Sequence, residues 1–430
     1  MAKKALTKTD KIIQMVFLLA LPLGAVTWIT VPIAAAGKNL SFMLTEVLSV
    51  FVVLLIWSRL FSKKRELSVL LPTALERVFI LLSALFFVYA ALTTVWRFAA
   101  QGFSFAFLSY PRISFVLYAV FFLFCSDIFS AAQKRSALLV LVTFFNAVEL
   151  FLFLTNGNLR QSVGMVNVNI YACGVVMSLP LLLHTFYFEE RAAVRAIIGF
   201  DLFCVTLLIP LTGSRLGILL LAVAVVGTVG VHFRSASAAR VLQSGLPILL
   251  AVVCIIGVCN LPQFTIARNS VLRATMLDRY FEIENEDLHF EEQEDGSVEL
   301  VSTSDSMRME LWKQALETIR EYPLLGTGKL TTSVFVSGRY IDQSAHNFLL
   351  EMLVCYGAVG TVLYLGALIC MFFIVLKRCK GTAKGICTLI LVLYGVFSFM
   401  QPTFVSYLLL IWFVLTLTAA ASGKPKKKKN

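Results

Sequence analysis

His346 is the residue of this chain whose type and position best suit proton transfer. It stands in Ser344-Ala345-His346-Asn347, where a polar stretch from about Pro262 to Gln343 gives way to the apolar run Phe348 to Tyr356. Imidazole changes charge near neutral pH, and a histidine at such a boundary has water on one side and lipid on the other. The plainer reading is a polar residue that marks the start of a helix. Its surroundings decide between the two.

Arginine supplies the second kind of chemistry. Arg215 lies in Thr212-Gly213-Ser214-Arg215, a link between two apolar runs that leaves the side chain little room to swing away. A fixed guanidinium grips a phosphate through two parallel hydrogen bonds, whereas a mere interfacial anchor snorkels toward headgroups. From this residue alone both readings stand. Arg268, Arg273 and Arg279 follow the ninth apolar run, and a helix there would put Arg268 and Arg279 on one face. Arg308 opens a segment in which Leu311, Trp312, Ala315, Leu316 and Ile319 recur at helical spacing before Pro323. This segment predicts an amphipathic helix that lies on the membrane domain, and Pro323-Leu-Leu-Gly326-Thr-Gly328 predicts a turn after it.

The elements that must position these residues follow from composition. Of 430 residues, 59% are hydrophobic and 14% charged, which predicts an all-α polytopic membrane protein. Runs suited to spanning fall near 12–36, 40–57, 74–95, 113–130, 136–155, 169–186, 196–211, 216–232, 241–261, 347–376, 385–399 and 403–421, about twelve in all. The chain then divides into helices 1–9 within 1–261, an extracytoplasmic loop over 262–345 containing short amphipathic helices, helices 10–12 within 346–421, and a basic cytoplasmic tail over 422–430. The net charge of +12 gathers in short segments between runs, the positive-inside pattern rather than a nucleic-acid footprint. Both termini are expected in the cytoplasm, with the first helix retained. The nine cysteines form no CxxC pair and avoid the long loop, so neither a zinc site nor a disulfide framework is indicated.

Glu46, Glu149 and His184 lie inside apolar runs, where an ionisable group is a functional candidate or an internal hydrogen-bonding partner. Gly164-Met-Val-Asn167-Val-Asn169 opens the sixth run with two amides. Phe281 to Met307 contains no Lys or Arg and many carboxylates, and is expected to be a solvated, mobile insertion without the spacing of a calcium loop.

Four features resemble the O-antigen ligase and polymerase superfamily of bacterial envelope glycan assembly. His346-Asn347, nine residues, then Gly357-x-x-Gly360 looks like the family's signature at the end of its large outer loop. Arg308 with Trp312, running on to Pro323-Leu-Leu-Gly326, is similar to the stretch before that signature. Ser214-Arg215 resembles the family's Ser-Arg at a short outer turn, and Gly164 through Asn169 its Gly/Asn opening of a helix. The resemblance extends from about Gly164 to Gly366.

It implies a multi-pass protein of the bacterial cytoplasmic (inner) membrane, and an inverting glycosyltransferase that needs neither metal nor cofactor. The donor would be a glycan on undecaprenyl diphosphate and the acceptor a hydroxyl of a glycan or lipid-anchored molecule. His346 would be catalytic, Arg215, Arg308, Arg268, Arg273 and Arg279 would hold the diphosphate, and Asn347, Asn169 and Trp312 would support them. Ala345 precedes the histidine, so a two-histidine mechanism has no support. One large loop favours a ligase over a polysaccharide polymerase, and the basic tail lowers a protein acceptor. A lipid-linked glycan transporter and a ligand sensor are the readings from other classes. The sequence shows no matching pair of broken helices to support transport.

Overall fold

The computed structural model describes residues 11, 54, 73–98, 131–156, 168–233, 235–274, 290–292, 298–300, 305–328, 332–336, 339–343, 345–379 and 381–400. In chain order these form α1 (Ala74–Phe98), α2 (Ala131–Asn156), α3 (Val168–Phe188), α4 (Ala192–Leu211), α5 (Arg215–His232) and α6 (Ala238–Cys259). A 3-10 turn at Pro262–Phe264 leads into α7 (Thr265–Ala274). Then come β1 (Phe290–Glu292), β2 (Val298–Leu300), α8 (Asp305–Glu321), β3 (Thr332–Val336), β4 (Arg339–Gln343), α9 (Phe348–Arg378) and α10 (Thr382–Met400). Among the described residues five helices, α1, α4, α5, α6 and α9, are long and apolar enough to cross a membrane. Apart from Leu54, the spans expected at 12–36, 40–57, 113–130 and 403–421 lie outside the described residues.

Two expectations need correction. An all-α fold was expected, with a loop containing short amphipathic helices, yet two antiparallel hairpins also stand in that loop. β1 pairs with β2 inside the acidic segment, Glu291 opposite Glu299, so that segment is not wholly without structure. β3 pairs with β4, Val334 opposite Ile341. The physical reason is local: Thr332-Ser-Val-Phe-Val336 and Arg339-Tyr-Ile-Asp-Gln343 are rich in β-branched and aromatic residues and flank a Ser-Gly pair. The second correction concerns the span at 347–376, which is not one continuous helix. Gly357 breaks α9 with φ 60° and ψ −169°, a conformation open essentially to glycine alone.

The core forms where α1 lies antiparallel along α9. α1 opens on a capping box: the Thr73 amide donates to Glu76 Oε2 at 3.1 Å and the Glu76 amide to Thr73 Oγ1 at 3.3 Å. Buried Glu76 also accepts from Arg378 Nη2 at 2.7 Å, which ties the start of α1 to the end of α9. Farther along the pair, Phe86 packs edge-on against Tyr356 and Tyr364 at 5.3 and 5.2 Å.

Small residues let the other helices close up, as lipid-embedded packing requires. A Cβ at Gly217 of α5 would sit 2.8 Å from that of Ala172 in α3. At Gly385 of α10 it would sit 2.9 Å from Val231 Cγ1 of α5. The first of these contacts puts the starts of α3 and α5 together. The second brings the start of α10 to the end of α5, and only three residues separate the end of α9 from the start of α10. The start of α5 therefore lies at the same end of the bundle as the start of α9.

Candidate functional site

The site grows from the start of α9. Asn347 caps that helix, its side-chain oxygen accepting from the amides of Leu349 at 3.0 Å and Leu350 at 3.2 Å. Just before it, His346 has φ 50°, a positive value among the described residues otherwise found only at glycines. A left-handed backbone costs a non-glycine residue about 1–2 kcal/mol, so neighbouring contacts must hold it. One such contact is the indole of Trp312 in α8, whose Nε1 donates to the Ala345 carbonyl at 2.9 Å. Ala315, Ala345 and Val354 form a small core there, with Trp312, Ile319 and Leu350 packed around it. His346 is half-buried with Nδ1 turned inward. Beneath it, Phe348 meets Tyr364 at 5.6 Å, which links the site to the aromatic core.

The far end of the same half-helix is locked as well. Because Gly357 interrupts α9, the carbonyls of Val354, Cys355 and Tyr356 and the amides of Ala358 and Val359 need partners outside the helix. The turn Pro323–Gly328 supplies most of them. Thr327 N donates to Val354 O at 2.6 Å, Gly328 N to Cys355 O at 2.8 Å, Ala358 N to Pro323 O at 2.9 Å and Val359 N to Leu324 O at 3.2 Å. The Tyr89 hydroxyl of α1 completes the set, 2.8 Å from Tyr356 O and 3.1 Å from Leu325 O. A Cβ on Gly326 would collide with the Gly357 amide, and one on Gly357 with the Leu324 carbonyl. Gly360 gives the Tyr89 ring its place against α9, since a Cβ there would lie 2.6 Å from Tyr89 Cε1. The Gly-x-x-Gly signature and the Pro-Leu-Leu-Gly turn are thus two halves of one backbone joint.

The expected diphosphate residues are placed as follows. Gly213 turns with φ 73°, Ser214 caps α5 by accepting from Gly217 N at 3.0 Å, and Arg215 is the first residue of α5 and exposed. Arg268 is exposed on α7, and Arg273 lies on the same helix. Arg308 lies in the first turn of α8, one helical turn before Trp312 on the stripe that continues through Ala315 and Ile319. Asn169 is the second residue of α3. Arg279 lies outside the described residues, as do Gly164 and Asn167. His346 and Arg215 therefore share an end of the bundle, and Trp312 reaches the peptide carbonyl that precedes the histidine. Sequence reasoning misses Tyr89, which no local pattern marks. It also misses Asp201 of α4, although an acid inside an apolar run is a signal in itself.

A helical membrane protein with a polar site at one end of its bundle is the class these features define. Residues 200–365 match the family model described as O-antigen ligase. The match takes in Ser214-Arg215, α8, His346-Asn347 and both glycines of the joint, and leaves out Tyr89 and the Gly164–Asn169 stretch. No curated protein matches the chain.

Proposed function

We propose that this protein transfers a glycan from undecaprenyl diphosphate to an acceptor hydroxyl at the outer face of the bacterial cytoplasmic membrane, in the manner of an O-antigen ligase. The observation that carries the reading is the strained His346, pinned by Trp312 through Ala345 and followed by the Asn347 cap, within the matched stretch. Strain held in place by surrounding structure clusters at sites where geometry serves chemistry.

The chemistry balances without a nucleotide. The acceptor oxygen attacks the anomeric carbon, the bond from that carbon to the diphosphate oxygen breaks, and configuration inverts. His346 takes the acceptor proton, and undecaprenyl diphosphate leaves with the negative charge. Arg215 and Arg308 neutralise that charge as it develops, joined by one or more of Arg268, Arg273 and Arg279. Fixed guanidinium groups aimed at a leaving diphosphate do the work that a divalent ion does in nucleotide-sugar enzymes. A single large loop favours ligation over polymerisation, and both termini are assigned to the cytoplasm by their lysines.

The decisive experiment reconstitutes the purified protein with a lipid-linked glycan donor and follows donor consumption. Wild type is expected to consume donor and His346→Ala to do so about a hundredfold to ten-thousandfold more slowly, the usual cost of losing a general base. Equal rates would remove His346 from the chemistry. A transporter would move intact donor across a vesicle without consuming it, and that result would replace the transferase reading.

A further inference from the structure

At the end of α9 opposite His346, the chain turns into α10 and brings two sulfurs together. Cys379 caps α9: its amide donates to Val375 O at 3.0 Å, and its backbone then extends at φ −85° and ψ 145°. Gly381 reverses the chain with φ 57°, a left-handed value that suits glycine. Cys387 follows in the second turn of α10. The Cys379 and Cys387 Sγ atoms lie 3.2 Å apart in a thiol–thiol hydrogen bond, and both side chains are buried. The spacing is C-x7-C, which no local dithiol pattern marks.

Two buried thiols can act as small apolar filler. Here the geometry offers more. Each sulfur is carried on fixed backbone, Cys379 by the last bond of α9 and Cys387 by α10, whose Gly385 lies so close to α5 that a Cβ would come 2.9 Å from Val231 Cγ1. The corner between them faces outward: Gly381 is exposed, and a Cβ there would meet nothing within 4 Å, so a reagent the size of water has a way to the turn. With Cys387 as donor, the shared hydrogen bond holds the Cys379 thiol below its ordinary pKa, against burial, which pushes it up. Thiolate is the form that reacts. Closing the 3.2 Å separation to a covalent bond takes a movement of about 1.2 Å.

We propose that Cys379 and Cys387 form a redox-modification site, a dithiol that a hydroperoxide such as hydrogen peroxide converts to a disulfide joining α9 to α10. The Cys379 thiolate attacks one peroxide oxygen; an S–O bond forms, the O–O bond breaks, and the departing hydroxide leaves as water with the proton that Cys379 gave up. The Cys387 sulfur then attacks the sulfenic sulfur, forming the S–S bond and breaking the S–O bond, and a second water leaves with the Cys387 proton. Two electrons pass from the two sulfurs to the peroxide. Because Arg378, beside Cys379, is bonded to Glu76, the cross-link fastens α1, α9 and α10 at one end. The positive-inside assignment made above puts this corner in the cytoplasm, where thiols rest reduced. The cross-link itself depends neither on that assignment nor on the transfer reaction.

The test treats the full-length protein in lipid nanodiscs with hydrogen peroxide, alkylates the remaining thiols after denaturation, and follows the cysteines by peptide mass spectrometry. Wild type is expected to yield a Cys379–Cys387 cross-linked peptide from a protein that stays monomeric on a non-reducing gel, and dithiothreitol is expected to restore both thiols. Cys387→Ser should lose the cross-link and leave Cys379 as a sulfenic acid that dimedone traps. The wild-type measurement decides the matter even if that variant fails to fold. Wild type in which both cysteines stay alkylatable, in which Cys379 passes to a sulfinic acid without a cross-link, or in which the disulfide joins two chains overturns the proposal.

Discussion

Trp312 and Ala345 stand 33 residues apart in the chain, yet the indole Nε1 of one donates to the carbonyl of the other at 2.9 Å. That bond joins the amphipathic helix of the loop to the peptide immediately before His346. It makes the histidine's backbone a product of tertiary structure, and it can be removed without touching the histidine. In Trp312→Phe the ring is largely kept while the Ala345 carbonyl loses its donor, at a cost of about 1–3 kcal/mol. We expect a protein that still inserts but turns over at least tenfold more slowly, with donor affinity little changed. Equal loss of affinity and turnover would show that Trp312 acts on the donor instead.

His346 carries strain that glycine would not. His346→Gly relieves a left-handed penalty of about 1–2 kcal/mol and adds unfolded-state entropy of about 0.5–1 kcal/mol, so the two nearly cancel. The variant should melt at or slightly above the wild-type temperature and have no measurable transfer activity. Thermal unfolding beside a donor-consumption assay checks both. A clearly lower melting temperature would mean that the imidazole serves stability.

The joint at Gly357 tolerates no side chain, because the Leu324 carbonyl occupies the place of its Cβ. Gly357→Ala and Gly326→Ala should each abolish accumulation of folded protein, as judged by a monodisperse peak in detergent chromatography. Gly395→Ala serves as the control, since nothing lies within 4 Å of a Cβ there. Tyr89→Phe, which removes only the hydroxyl shared by Leu325 and Tyr356, should fold but melt earlier by an amount that matches about 1–3 kcal/mol.

Arg215 and Arg308 separate a diphosphate clamp from membrane anchoring. Lysine keeps the charge and a long stem but loses the planar two-point contact. Arg215→Lys and Arg308→Lys should express normally and lose most transfer activity, with weaker donor binding. An anchor would accept lysine freely, so wild-type rates in both variants return Arg215 to that role.

Hydropathy and local patterning carry much of this molecule. The apolar runs at 196–211, 216–232 and 241–261 become α4, α5 and α6, because a span of that length must satisfy its backbone internally and a helix does so. The spacing of Leu311, Trp312, Ala315 and Ile319 foretells α8 and its docking face, and Thr212-Gly213-Ser214 foretells a tight, capped turn. The hairpin at β3 and β4 went unread in the sequence, although its β-branched residues around Ser-Gly carry a signal for it.

What the residues determined alone is where helices lie, where the polar loop interrupts them, and which types of side chain gather at its end. Only the tertiary structure decided that α9 breaks at Gly357, since the break is stable solely because a turn some thirty residues earlier and a tyrosine from α1 satisfy its backbone. It decided likewise that Asp201 meets Thr143 and Asn146, and that a distant indole bonds the peptide before the left-handed His346. Local sequence encodes hydrogen bonds that close within a helical turn. Bonds between segments far apart in the chain depend on which helices pack together, and no local pattern contains that.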